Sequence, residues 1–204
     1  MVIQCPTPRS VGKAADPDLP IEAMTAALCA TDVWIEFNHQ WLLYSAPFER
    51  ASEVNRKLRY MCLVDFNEEL LIRTVGHVDT PKLQVFMRKV AERTRNARTM
   101  HVTTPAGTDV TFEIDPVHYV ACDCGDATFP AAHMLTGQIN VVPKFGSIEG
   151  TIVFDGCVTP PFGQGAVSHS DGICLNSTVW LDGQCIMREG VIVDKELSAL
   201  DPTV

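Results

Sequence analysis

The chain has 204 residues, 46% hydrophobic and 20% charged, with a formal net charge of −9. That length suits one domain or two small ones, and an acidic balance without a basic block argues against nucleic acid as the main partner. No apolar run approaches the roughly 20 residues of a membrane helix, and the start, MVIQCPTPRSVGKAADPDLP, has no apolar core of the secretory kind, so a cytoplasmic protein with reduced thiols and no membrane partner is expected.

In chain order, residues 1–20 are rich in proline and polar side chains and read as a loop. Residues 21–30 (IEAMTAALCA) read as a short helix with Pro20 near its first turn. Residues 32–37 (DVWIEF) read as a strand and 41–44 (WLLY) as an extended or turn segment. Residues 47–60 read as a helix carrying many charges, and 60–64 (YMCLV) as a further short apolar run. Residues 67–75 (NEELLIRTV) fit a helix capped by Asn67 and ended by Gly76. The strongest helix is 80–98: Thr80 as N-cap, Pro81 in the first helical position, and Leu83, Phe86, Met87 and Val90 in one apolar stripe. Helices delivering short apolar strands are α/β grammar.

Beyond Arg98 strands dominate. Residues 100–104 and 108–114 alternate apolar and polar around Pro105-Ala106-Gly107, a hairpin in which Gly107 supplies a positive φ. Residues 151–154 read as a strand stopped by Asp155-Gly156. Residues 173–181 and 184–188 flank Asp182-Gly183, a strong hairpin signal, and 191–193 add a last strand. The closing DKELSALDPTV reads as the start of a helix. The expected fold is therefore α/β followed by a β-rich α+β region. Residues 1–98 would form the C-terminal part of an α/β domain with its linking helix, and 99–204 a β-rich domain incomplete at its C-terminus. Both edges read as cut through a domain, which predicts exposed apolar surface and a homo-oligomer.

Two segments with little periodicity, ACDCGD and AAHMLTGQ, bring Cys122, Cys124, His133 and Gln138 close together in turn-rich backbone. A chemical site is expected there. The other six cysteines are scattered among apolar neighbours and read as small core residues. The C-x-C pair has neither zinc-knuckle nor thioredoxin spacing, and packing is its expected role.

Several motifs resemble one family. TTPAGTDVTFEID resembles T-x-x-G-T-D-[LV]-x-F, and SIEGTIVFDG resembles S-x-x-G-x-[IV]-x-[FI]-D-G, of the thermophilic aminopeptidase T family and its relatives. ATDVWIEF and RKLRYM resemble the strand A-D-V-[IV]-[IV] and the R-Y segment of the same group. The resemblance implies a two-domain metalloenzyme fold, of which this would be a partial chain. It implies one of two chemistries: a metallo-aminopeptidase with two divalent cations such as Zn or Co, or an Fe(II) dioxygenase that opens 2,5-dihydroxypyridine with O₂. Gln138 stands where the peptidase branch carries a metal-binding Glu, and a neutral amide is a poor partner for two divalent cations. The dioxygenase branch is therefore favoured, with a small aromatic N-heterocycle and O₂ as partners.

In that branch iron is held by two His and one carboxylate, including an H-x-D pair near the C-terminus, which the resemblance places beyond Val204. His169-Ser170-Asp171 is itself H-x-D and, with His133 or His118, forms a local alternative ligand set, in a loop where the family shows no ligand. His133 is the catalytic candidate: it would move a proton during ring opening, or else be satisfied by backbone in its loop. Gln138 would hydrogen-bond a ring hydroxyl or nitrogen, or else serve as a loop amide. Tyr44 and Arg59 would line a pocket from the first domain. Asp109 is expected to order the hairpin, and His101 and His118 to be structural. A chain without the C-terminal ligands would instead be a non-catalytic remnant of the fold.

Overall fold

The structure is a computed structural model that describes residues 2–117, 120–157 and 172–202. It is a mixed α/β protein with several sheets, and its residues divide into two compact units. One holds the described residues within Met1–Val75 and Asp126–Leu135. The other holds those within Gly76–Gly125, Thr136–Val158 and Asp171–Val204.

The first unit opens with a 3-10 turn, Gly12–Asp18, where the sequence predicted only a loop. Packing and polar ties make the difference. Val11 and Ala15 are buried, Gly12 N donates to Trp41 O at 2.8 Å, and Asp16 Oδ1 accepts from Ala46 N at 2.8 Å. Gly12 has φ +54, and a Cβ there would meet the Leu43 carbonyl at 3.0 Å, so glycine is needed at this close approach. Helix α1 (Ile21–Cys29), strand β1 (Val33–Glu36), helix α2 (Ala46–Val54) and strand β2 (Arg59–Cys62) follow. The expected helix 47–60 ends early because Asn55 turns the chain: its Nδ2 donates to the carbonyls of Leu28 and Thr31. Arg59 and Tyr60 are thereby freed for the sheet. Helix α3 (Glu68–Leu71) is capped by Asn67, whose side chain accepts from Leu70 N at 2.8 Å, and runs into a π-helical turn, Ile72–Gly76.

The second unit begins with helix α4 (Thr80–Asn96). Asp79, not Thr80, is its N-cap, accepting from Lys82 N at 3.1 Å. Leu83, Met87, Ala91 and Thr94 are its buried face. Strands β3 (Thr99–Thr103) and β4 (Asp109–Glu113) form the predicted hairpin, with Gly107 at φ +109 in its turn. Strand β5 (Ala121–Asp123) belongs to this unit, whereas β6 (Ala132–His133) joins the first; β7 (Gln138–Asn140) returns to the second and pairs with β5. Strand β8 (Glu149–Thr151) overlaps the strand expected at 151–154 only at Thr151. Strands β9 (Gly156–Cys157) and β10 (Gly172–Ile173) pair with each other. Then come β11 (Thr178–Leu181), β12 (Gln184–Arg188), β13 (Val191–Ile192) and helix α5 (Lys195–Ser198).

Two sheets dominate. In the first unit β1-β2-β6 form a parallel sheet, with Glu36 opposite Cys62 and Met61 opposite His133. In the second, β13-β12-β11-β3-β4-β8 form an antiparallel sheet. Its core gathers Ala91, Ile114, Val120, Leu181, Ile186 and Leu197. Full burial of a leucine such as Leu197 is worth about 2 kcal/mol. Asp182 and Gly183 both take positive φ, as the tight turn between β11 and β12 requires. The division differs from a single cut near Arg98. Helix α4 packs against β5, β7 and α5, and residues 126–135 supply β6 to the parallel sheet. The chain therefore passes between units more than once.

Candidate functional site at the carboxyl edge of the parallel sheet

In open α/β sheets, ligands bind outside the carboxyl ends of the strands. Here that edge is built by β1, β2 and β6. The pairing of β1 with β2 runs past both strands: Leu63 N donates to Glu36 O at 3.0 Å, and Asp65 N donates to Asn38 O at 2.9 Å. This extension carries His39 to Asp65, with Nδ1 and Oδ1 2.5 Å apart. Asp65 has φ +62, a left-handed conformation that Asp tolerates better than most residues. The carboxylate can only accept, so Nδ1 carries the proton and Nε2 is the basic nitrogen of the neutral ring. Both side chains are open to solvent, His39 at 62% and Asp65 at 37%.

The end of β1 carries a buried carboxyl. Glu36 is 1% exposed. Its Oε1 accepts from Leu42 N at 2.8 Å and from Asn38 Nδ2 at 2.6 Å, and its Oε2 accepts from the Tyr60 hydroxyl. Burial pushes Glu36 up to about 7, against the opposing pull of the hydrogen bonds from Tyr60, Leu42 and Asn38. Burial likewise raises the Tyr60 phenol and the Cys62 thiol. Through Asn38 and Leu42, Glu36 clamps both ends of the segment that carries His39. Gln40 Oε1 and Ser45 Oγ nearby in sequence are buried without a hydrogen-bond partner among the described residues, a local cost of the kind proteins retain at functional sites.

The expected residues fall as follows. His133 ends β6 on this same edge, but it is 2% exposed and its Nε2 donates to Phe129 O at 2.8 Å. Tyr44 sits in a turn at φ +66, exposed, with its ring edge-on to Phe48. Arg59 begins β2, at the opposite edge from His39, and its Nη1 reaches Ala127 O at 3.4 Å. Gln138 belongs to the second unit, where it is exposed and its Nε2 donates to Asn140 Oδ1 at 2.9 Å. His101 packs flat on Trp180, and its Nε2 meets Asp109 Oδ1 at 2.9 Å, a contact between the two strands of the hairpin. The two candidates for a local ligand set, His169 and Asp171, lie outside the described residues, as does His118.

Among the described residues no three His, Cys, Asp or Glu side chains gather as a metal site. His39 and Asp65 are donors of suitable type, but they bond to each other, and no third His, Cys, Asp or Glu among the described residues gathers with them as a metal site. The described residues therefore do not provide a ligand set for Fe(II). A groove of about 810 Å³ in the second unit is lined by Arg95, Glu113 and Lys144 among others. Two of the cations in its lining are engaged, Lys144 with Glu113 at 2.6 Å and Arg95 with the Val120 carbonyl at 2.9 Å.

Sequence reasoning missed the His39–Asp65 pair. The signal was present: Asp65 directly follows the apolar run 60–64, and His39 comes two residues after the predicted strand 32–37. Polar residues just past parallel strands sit where α/β sites form.

Among known proteins, this chain aligns with the solved structure of 2,5-dihydroxypyridine dioxygenase from Pseudomonas putida KT2440. The TM-score is 0.54 and the identity 14%, over 97% of this chain and 81% of that one, a likeness of fold. A search of curated proteins found no match. The model of the family described as NicX, 2,5-dihydroxypyridine 5,6-dioxygenase, matches residues 5–163, a span that includes His39, Glu36, Asp65 and His133. The aminopeptidase kinship rests on the motif resemblance alone. With most of its length matched by that model, the chain belongs to the 2,5-dihydroxypyridine 5,6-dioxygenase family.

Proposed function

We propose that the chain opens the ring of a 2,5-dihydroxypyridine between C5 and C6 with O₂, and that the His39–Asp65 pair takes the proton of a ring hydroxyl. The family match over residues 5–163 carries the reaction class. The carboxyl-edge position and exposure of His39 support its role. In this reaction the C5–C6 bond and the O–O bond break and each carbon takes one oxygen atom. The ring supplies the electrons that reduce O₂, so no external reductant enters. Deprotonating the hydroxyl raises electron density on the carbons to be oxidised. Asp65 fixes the imidazole through Nδ1, which directs Nε2 to act as acceptor. Glu36 holds the segment that presents His39.

The test follows the substrate's ring absorbance and O₂ uptake together, with the purified chain, with added Fe(II), and with a chelator. The expected result is loss of the pyridine chromophore with one O₂ consumed per ring opened. Absence of ring loss both with added Fe(II) and with the chelator overturns the proposal. Turnover that survives His39→Ala unchanged removes the His39–Asp65 pair from it.

A further inference from the structure

Cys122 lies in β5 and Cys124 one residue beyond that strand, and their sulfurs are 3.4 Å apart. Both side chains are half-buried, with free thiols. A disulfide needs about 2.05 Å between sulfurs, so closure asks for a contraction of roughly 1.4 Å, within reach of side-chain rotation and a small backbone adjustment. The backbone already bends here: Gly125 is at φ +71, and its N–H donates to Asp123 Oδ1 at 3.0 Å. Among the described residues no third His, Cys, Asp or Glu joins the two sulfurs, so the geometry is that of a dithiol and not of a three- or four-ligand metal site. Burial, with the neighbouring thiol of Cys124, pushes Cys122 up to about 11, so at neutral pH it rests as a thiol.

We propose that Cys122 and Cys124 are a redox-active pair that closes to an intramolecular disulfide on exposure to a peroxide. One sulfur attacks the peroxide, the O–O bond breaks, and a sulfenic acid and one water form. The second sulfur then displaces the sulfenic oxygen as a second water and forms the S–S bond. Two thiols thus lose two electrons and two protons, and one hydrogen peroxide becomes two waters. The strand pair relays the change. Asp123, between the cysteines, is opposite Gln138 in the β5–β7 ladder, and Cys122 is opposite Ile139. Closing the pair tightens β5 at the residue that holds Gln138 in register.

Tryptic cleavage after Arg98 and Lys144 releases peptide 99–144, whose only cysteines are these two. Hydrogen peroxide at a small molar excess, followed by alkylation and mass spectrometry, is expected to show this peptide lighter by two hydrogens. Dithiothreitol is expected to restore it. Titratable thiols in the unfolded protein fall from the eight of the sequence to six. In Cys122→Ser and Cys124→Ser the two-hydrogen loss disappears, and the remaining sulfenic acid is trapped by dimedone. A wild-type peptide that stays reduced, or that only gains oxygen atoms, overturns the proposal. These readouts do not depend on ring-opening activity.

Discussion

Replacing Glu36 by Gln tests the buried carboxyl directly. The side chain keeps its size, and its amide oxygen still accepts from Leu42 N and Asn38, while its amide nitrogen donates to the Tyr60 oxygen. Only the ionisable proton is lost. Glu36 is raised from an ordinary 4.5 to about 7, chiefly by burial. Between those values the folded protein binds more protons than the unfolded chain, so stability falls as pH rises. The contribution is full below pH 4.5 and lost as pH passes through 7. A shift of about 2.5 units corresponds to about 3 kcal/mol, a large share of the 5–15 kcal/mol typical of a domain. Urea unfolding from pH 5 to 8.5, followed by tryptophan fluorescence, measures it, since Trp34 packs 4.7 Å from Tyr60. Wild type is expected to lose roughly this amount across the range relative to Glu36→Gln, which becomes the more stable protein at the alkaline end. Histidine titration is common to both proteins and cancels in the difference. Parallel stability curves for the two would refute the reasoning.

Three further outcomes are expected. His39→Ala lowers kcat for ring opening about 10²- to 10⁴-fold, the usual range for a lost general base, with an unchanged circular-dichroism spectrum. Asp65→Asn lowers it less while shifting the pH profile, and a profile identical to wild type would leave Asp65 without a role in orienting the imidazole. Gly150→Ala places a Cβ 2.0 Å from the Asp109 carbonyl at φ +116, so β8 leaves the sheet edge; amide exchange there rises and stability drops by about 1–3 kcal/mol from backbone strain alone. Phe145 is fully exposed, with Ile148 and Phe154 largely so, around the edge strand β8. Light scattering is therefore expected to give a mass above 22.4 kDa, reduced by Phe145→Ser, and a monodisperse monomer would contradict it.

Much of the secondary structure was legible because its signals are local. Asn67 and the Asp182-Gly183 turn act within a few residues of themselves, and the hairpin 100–114 carries its own alternation and its own glycine. The family, too, could be read from short motifs that survive in order along the chain. Contacts between distant segments were not legible. The lead 1–20 carries no periodicity, yet it folds because Gly12 finds Trp41 and Asp16 finds Ala46. The helix 47–60 stops at Asn55 because Leu28 and Thr31, far back in the chain, present carbonyls to it. His133 and Gln138 are five residues apart in sequence but enter different units, since β6 pairs with β2 and β7 with β5. His39 and Asp65 are 26 residues apart and meet only because two parallel strands extend side by side past Glu36 and Cys62. The sequence by itself determined the local elements, the turn chemistry and the kinship with a ring-cleaving dioxygenase. Only the tertiary structure decided which polar groups face one another, because burial and pairing partners are set by strand register, and register depends on residues far apart in the chain.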